Sequence, residues 1–216
     1  MTGVLASGEY RLADLGAGCG VAGFAALLRD PLASLTAVER EPELCAALRH
    51  NAELLGCAER VQVLEADLAG PLPPEFAASC ALVLANPPCR KRGHGRMPHN
   101  ALRGRALFED GPDTLPAFCR AAAFLLRQDG RFILVYPPER LPDLRSALES
   151  AGFGLCRIKA VRPRHDAPVG RLLLEAQKGA PHHPTLESDL ILYGDEGDTP
   201  SDQALVFCPE LFAHRL

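Results

Sequence analysis

The chain has no apolar run long enough to span a bilayer, and its opening, MTGVLASGEYRLADLG, has no basic region followed by an apolar stretch. Neither a transmembrane segment nor a secretory signal is therefore expected. An excess of positive charge is also missing: 23 Lys and Arg stand against 27 Asp and Glu, a net charge of −4. Any nucleic-acid contact must then come from a local patch and not from the chain as a whole. There is no CxxC pair among the eight cysteines, which are scattered at 19, 45, 57, 80, 89, 119, 156 and 208. Most lie beside Ala, Leu or Val, where cysteine acts as a small hydrophobe, so reduced thiols in a reducing, cytoplasmic compartment are expected. Internal repeats and low-complexity tracts are absent as well. What is present is ordinary for a globular protein: 47% hydrophobic and 23% charged residues in a chain of 216. That suits one α/β domain, or one with a short appendage.

Strand-like and helix-like segments alternate along the first two thirds. Strands are expected at Tyr10–Leu15, Ser34–Glu39, Val61–Ala66, Cys80–Ala85 and Arg131–Tyr136. Helices are expected at Val21–Leu28, Glu41–Leu55, Asp113–Arg127 and Glu139–Ala151. In the second of these, Pro42 sits in the first turn, Leu44, Leu48 and Leu55 share a face, and Gly56 is the stop. Gly154–Val161 and Gly170–Gln177 then read as two strands with no helix between them, an antiparallel pair at the sheet edge. The expected fold is α/β, a doubly wound and mostly parallel sheet with helices on both faces and an antiparallel C-terminal strand. The domain is placed at 1–178. Residues 179–216, with one strand candidate at Leu190–Tyr193 and a final apolar stretch at Ala204–Cys208, read as an appendage packed on it.

Ligands of such sheets bind outside the carboxyl ends of the strands, and the notable residues lie there. The first turn runs Asp14-Leu-Gly16-Ala-Gly18-Cys-Gly20-Val-Ala-Gly23. Gly18, Gly20 and Gly23 satisfy the dinucleotide pattern GxGxxG, with Glu39 about twenty residues on. Asp14, Gly16, Gly18 and Gly20 equally satisfy Asp-x-Gly-x-Gly-x-Gly, a loop for S-adenosylmethionine. That cofactor carries no pyrophosphate, so the glycines serve to let backbone approach its methionine portion. A carboxylate at the end of the first strand (Asp14) can take the ammonium, and one after the second (Glu39) both ribose hydroxyls. One after the third (Asp67, beside Leu68) can take the adenine amino group. An NAD site would explain Glu39 but neither Asp14 nor Asp67, so S-adenosylmethionine is the cofactor expected.

The fourth strand ends in Asn86-Pro87-Pro88-Cys89. An exocyclic amine on a nucleobase is a poor nucleophile because its lone pair is delocalised into the ring. Two fixed acceptors, the Asn86 side-chain oxygen and the Pro87 carbonyl, can draw its nitrogen towards a tetrahedral geometry, and the prolines keep both acceptors in place. Catalysis of this kind is positioning plus electrostatics and needs no strong base. Asn86 would also lie beside the cofactor's methyl.

The stretch NPPCRKRGHGRMPHNALRGRALFE, 86–109, resembles the motif segment of bacterial tRNA adenine-N6 methyltransferases that modify the adenine 3′ of the valine tRNA anticodon. Gly93, Gly95, Arg96, Pro98, Arg103, Ala106 and Glu109 hold places that match the family, and LILYGDEGDTPSD is similar to its ending. The resemblance covers nearly the whole chain. It implies a Rossmann-like class I methyltransferase using S-adenosylmethionine, with an RNA substrate, most simply tRNA. Three departures stand out. Cys89 takes the place of the family's aromatic, Asn100 follows His99 and not Pro98, and thirteen residues precede Asp14, fewer than in the family.

After the Asn-Pro-Pro turn come Arg90, Lys91, Arg92, Arg96, Arg103 and Arg105 with no acid among residues 90–105. Residues 157–171 add Arg157, Lys159, Arg162, Arg164 and Arg171 against Asp166 alone. Both stretches suggest a phosphate-binding face for RNA, with few aromatics for base stacking. Cys89, His94 and His99 fit no common zinc spacing, so no metal is expected. Three other readings stay open. They are a catalytically impaired homologue that binds RNA or cofactor as a module, a cytosine C5 methyltransferase with Cys89 as nucleophile, and a protein glutamine N5-methyltransferase.

Overall fold

Two near-continuous apolar runs, YRLADL and ASLTAVE, form adjacent parallel strands inside the sheet, because only a strand covered on both faces tolerates such a sequence. They are β1 (Tyr10–Leu15) and β2 (Ala33–Glu39). The computed structural model describes residues 9–89, 109, 111–194 and 197–209. The remaining strands are β3 (Val61–Glu65), β4 (Cys80–Ala85), β5 (Leu126–Tyr136), β6 (Phe153–Arg162), β7 (Arg171–Lys178) and β8 (Thr185–Ile191). They make one eight-stranded sheet in the order β3-β2-β1-β4-β5-β7-β6-β8. Every neighbouring pair is parallel except those of β7, which runs antiparallel to both β5 and β6. The sheet is thus mostly parallel with an antiparallel strand near its C-terminal side, as expected.

Helices α1 (Val21–Leu27) and α2 (Pro42–Leu54) cover one face, packing Phe24, Leu27 and Leu48 on Leu12, Leu35 and Ala37. Helices α3 (Thr114–Leu125) and α4 (Leu141–Ser150) cover the other, with Phe118, Leu125, Leu144 and Leu148 against Leu15, Val83, Phe132 and Leu134. The strand order reverses between β1 and β4, and the crevice at their carboxyl ends is the place where a doubly wound sheet takes a ligand. Among the described residues no helix is long and apolar enough to cross a membrane, and all eight cysteines are free thiols.

Three expectations are corrected, and a further segment gains a defined conformation. The buried stripe of α2 is Cys45, Leu48 and Ala52; Leu44 is only half-buried and Leu55 is exposed beyond the helix end. Leu126 and Arg127 belong to β5 and not to the preceding helix. Leu126 pairs with Cys80 and Arg131 with Leu82, so residues 127–130 bulge out of the strand, with Asp129 left-handed at φ 61°. The sheet edge is β8, which pairs in parallel with β6, and it spans Thr185–Ile191, whereas the sequence suggested only Leu190–Tyr193. The apolar stretch at Ala204–Cys208 is mostly helix α5 (Asp202–Phe207), capped by Ser201 Oγ accepting from the Ala204 N–H at 3.0 Å.

Candidate functional site

The carboxyl ends of β1–β4 open on one cavity of about 660 Å³, a volume within the usual range for a small-molecule site. Its floor is the glycine loop between β1 and α1. The loop is tied to β2 through the Gly16 and Ala17 N–H groups, which donate to the Val38 carbonyl at 2.9 and 3.1 Å. From α2, Asn51 Nδ2 donates to the Cys19 carbonyl at 2.9 Å. Gly18 has φ +59°, and a Cβ placed on it would meet no atom within 4 Å, because it would project into the cavity. That is the position where a side chain would occupy a ligand's space.

Asp14, the penultimate residue of β1, is 3% exposed, and its Oδ2 accepts from the Gly23 N–H in the first turn of α1 at 2.8 Å. Burial raises its pKa from 3.8 to about 7, with the Glu39 carboxylate adding to the rise and the Gly23 hydrogen bond opposing it. Glu39 ends β2 and is also buried. One of its oxygens accepts from the Gly18 N–H at 2.8 Å, the other from the Arg40 and Glu41 N–H groups at 2.8 and 3.0 Å. It therefore joins the glycine loop to the turn that starts α2. Asp67, past the end of β3, is exposed; its Oδ1 accepts from the Ala69 N–H at 2.9 Å and its Oδ2 lies 3.9 Å from Arg40 Nη1. The short side chain thus fixes its own turn.

The cavity brings together Asp14, Gly16, Gly18, Glu39, Asp67, Leu68, Asn86 and Pro88 from four separate strand ends. Asn86 is exposed at the mouth. Among the described residues, Gly20, Pro87 and Cys89 are not in its wall. Gly20 is the N-cap of α1, where a Cβ would strike the Phe24 ring at 2.2 Å. Pro87 is buried, and Cys89 packs half-buried against the core under α3 and α4. Arg90, Lys91, Arg92, Arg96 and Arg103, with His94, His99 and the other motif positions of 90–108, lie outside the described residues.

Sequence reasoning missed the far wall. Leu44 of α2, and Thr114, Ala117 and Phe118 of α3, also line the cavity. The Phe118 ring lies under Gly16, 3.0 Å from where a Cβ would stand. The turn residues Gly111, Pro112 and Asp113 just before α3 were the available signal. It also missed an ion-pair cluster beside the Asn-Pro-Pro turn. There Arg140 Nη1 donates to Glu109 Oε1 at 2.5 Å and to the Cys89 carbonyl at 3.1 Å. A second cavity of about 690 Å³ adjoins this cluster and shares Gly111 and Pro112 with the first.

Most cations of the second basic stretch already have partners within the sheet. Arg157 bonds Glu175 at 2.6 Å and pairs with Glu187 at 3.2 Å; Lys159 pairs with Glu187 at 3.1 Å, and Arg162 with Asp189 at 2.5 Å. Arg164 donates to the Gly194 and Gly197 carbonyls. These acids come from β7 and β8, across the ladder and far along the chain, so a linear count of charges could not see them. The β6 cations Arg157, Lys159 and Arg162 form a cross-strand ion-pair network, while Arg171 at the start of β7 is exposed and donates to the Gly170 carbonyl.

Comparison with known proteins gives a consistent set. The model of the methyltransferase small domain family matches residues 3–160. A tRNA1(Val) (adenine(37)-N6)-methyltransferase of Edwardsiella ictaluri is 32% identical over 170 residues, 77% of this chain and 65% of that protein. One of Parabacteroides distasonis is 27% identical over 212 residues, covering 91% of this chain and 84% of its own. This chain therefore spans 65% of the length of the Edwardsiella relative. Among solved structures, the crystal structure of a predicted O-methyltransferase from Agrobacterium tumefaciens superposes with a TM-score of 0.72 at 24% identity, over 95% of this chain and 89% of that one. That likeness is one of fold.

Proposed function

The chain belongs to the methyltransferase small domain family, and on that premise we propose that it methylates the N6 amino group of an adenine in RNA with S-adenosylmethionine. The observation that carries this reading is the convergence of Asp14, Glu39, Asp67 and Asn86, each from a different strand end, on one cavity at the switch point. The lining fits the cofactor. Carboxylates at three strand ends suit a ligand bearing an ammonium, a ribose diol and an adenine amino group, and are wrong for a pyrophosphate. Gly18 leaves open the space a side chain would fill, and Leu44, Leu68 and Phe118 offer apolar surface for a ring.

S-adenosylmethionine supplies a methyl group made electrophilic by its sulfonium. The chain's own residues then bind and orient. Asp14 would take the ammonium, which favours its ionised form. Glu39 would accept the ribose hydroxyls, giving up part of its hold on the loop N–H groups. Asp67 would accept from the adenine amino group, with Leu68 against the ring. At the mouth, the Asn86 side-chain oxygen and the Pro87 carbonyl would accept the two N–H bonds of the target amine, holding its nitrogen lone pair towards the methyl.

The relatives' activity, N6 methylation of adenine 37 in tRNA1(Val), is the one we extend to this chain. Arg90, Lys91, Arg92, Arg96 and Arg103 would neutralise RNA phosphates. A cytoplasmic location accords with a tRNA substrate and free thiols. Residues 1–178 would carry the reaction, with 179–216 appended through β8. Cys89 packs against the core and away from the cavity wall, which speaks against a thiol nucleophile on cytosine. The test is incubation with methyl-labelled S-adenosylmethionine and bacterial tRNA, followed by nucleoside mass analysis. Label in N6-methyladenosine, retained by Cys89→Ser, is expected. Label in 5-methylcytidine that Cys89→Ser abolishes, or no labelled nucleoside at all, would overturn the reading.

A further inference from the structure

The Asn86-Pro87-Pro88 turn has a mechanical problem. Proline has no N–H, so neither Pro87 nor Pro88 can donate a hydrogen bond to fix the turn. The β4–β5 ladder ends at the pair Ala85 and Leu134, one residue before Asn86. Acceptors meant to aim at a substrate amine must be held from elsewhere.

The chain holds them from β5. After β5 ends at Tyr136, a short 3₁₀ turn, Pro138–Arg140, turns back beneath the exit of β4. There Arg140 Nη1 donates to the Cys89 carbonyl at 3.1 Å and to Glu109 Oε1 at 2.5 Å. Its Nε and Nη2 both donate to Asp143 Oδ2, at 3.1 and 3.0 Å, and the guanidinium lies over the Tyr136 ring at 5.6 Å. Glu109 is 7% exposed and also accepts from the Tyr136 hydroxyl at 3.4 Å; Tyr136 is 1% exposed. All three guanidinium nitrogens thus have an acceptor; the Glu109 and Tyr136 side of the cluster is buried, whereas Asp143 lies on the solvent side. Burial holds the Tyr136 hydroxyl in its protonated, donating form. In the sequence Cys89 and Glu109 flank the basic stretch 90–108, so one side chain binds the residue before that stretch and the residue after it.

We infer that Arg140, anchored by Glu109, Asp143 and Tyr136, is a positioning residue that fixes the Asn86–Cys89 turn for catalysis. This rests on the methyltransferase reading of the same site. Lysine cannot replace it, because an ammonium is a point charge with three donors and cannot serve a carbonyl and two carboxylates in one plane. A turn loosened by about 1 Å would leave binding intact and slow the chemistry, a displacement that can cost about a hundredfold.

The experiment uses the full chain and two readouts, with Arg140→Lys, Glu109→Gln and, as a control on the outer face of α4, Arg145→Gln. The first readout is the rate of alkylation of Cys89 by iodoacetamide, followed by peptide mass analysis, which needs no activity. The second is steady-state methylation of tRNA together with the dissociation constant of S-adenosylmethionine. In Arg140→Lys and Glu109→Gln, Cys89 should label several-fold faster. Their kcat should fall about ten- to a hundredfold, with cofactor affinity and the KM for tRNA within about twofold of wild type. Arg145→Gln should change neither readout. Glu109→Gln keeps the side chain's shape, so it decides the matter if Arg140→Lys fails to fold. Unchanged Cys89 labelling in the folded variants overturns the inference, as does a kcat per folded molecule equal to wild type. If wild type methylates no adenine while Cys89 labelling still responds to Arg140, the function is wrong and the clamp stands.

Discussion

Two regions of this sheet are rich in carboxylates and use them in opposite ways. At the carboxyl ends of β1, β2 and β3, Asp14, Glu39 and Asp67 accept from backbone N–H groups and line a cavity. On β7 and β8, Glu175, Glu187 and Asp189 lie within the strands, opposite Arg157, Lys159 and Arg162. The residue types are the same, and the difference is what the register sets opposite them. A carboxylate held by amide dipoles at a strand end has no cation opposite it on a neighbouring strand and is left to face a ligand, whereas one paired across a ladder is neutralised locally. The same contrast explains why a run of cations in the sequence is weak evidence for an RNA surface until its cross-strand neighbours are known.

The largest effect is expected at the mouth of the first region. Asn86→Ala should lower turnover by at least about a hundredfold, the scale for removing a preorganised polar group from a reacting centre, while calorimetry still shows cofactor binding. A variant that turns over normally would move the chemistry away from Asn86.

Next come the two basic stretches, which should separate cleanly. Neutralising Arg90, Lys91 and Arg92 together should weaken tRNA binding and flatten its salt dependence by about two to three units of slope. Arg157→Ala should leave that slope unchanged and instead cost about 1–3 kcal/mol in a denaturation experiment, because Glu175 loses its nearest partner while Arg131 remains at 3.5 Å. Equal loss of RNA affinity in both variants would break the contrast.

Among the strand-end acids, Glu39→Ala should weaken S-adenosylmethionine binding by about 1–3 kcal/mol, since the ribose hydroxyls lose a charged acceptor. Glu187→Ala should not alter it. The smallest effect is the pH response of Asp14. Its pKa is about 7 in the folded chain against 3.8 for an ordinary aspartate, so the folded state keeps a proton that the unfolded state releases. Its contribution to stability is therefore full below about pH 4 and lost as pH rises to 7. An ammonium ligand favours the ionised carboxylate, so cofactor affinity should rise between about pH 6 and 7.5 with release of a proton. Asp14→Asn should flatten both dependences.

Much of the central sheet was legible because its strands are apolar runs bounded by turn residues. β1 and β4 have the limits their sequences suggest, and Asp14, Glu39, Asp67 and Asn86 stand at or just beyond strand ends. What was not legible depends on contacts far apart in the chain. Leu126 continues the apolar pattern of α3, and only its pairing with Cys80 makes it strand. β8 reads TLESDLI, with three consecutive polar residues that break the strand alternation, and its place beside β6 follows a turn that no local signal sets. The cap at Ser201 was readable in retrospect, since a serine opens Asp202–Phe207. For Arg140 only the i,i+3 pair with Asp143 is local; Cys89 and Glu109 reach it from 51 and 31 residues away, contacts that form only when the chain leaving β4 meets the chain leaving β5.

The strand-end acids are proposed to form a site for S-adenosylmethionine. Calorimetric titration of the wild-type chain with S-adenosylmethionine and, separately, with NAD tests it directly. Saturable binding of S-adenosylmethionine is expected, with proton release near pH 7 that Asp14→Asn abolishes, and no heat with NAD. Saturation by NAD with none by S-adenosylmethionine would contradict it.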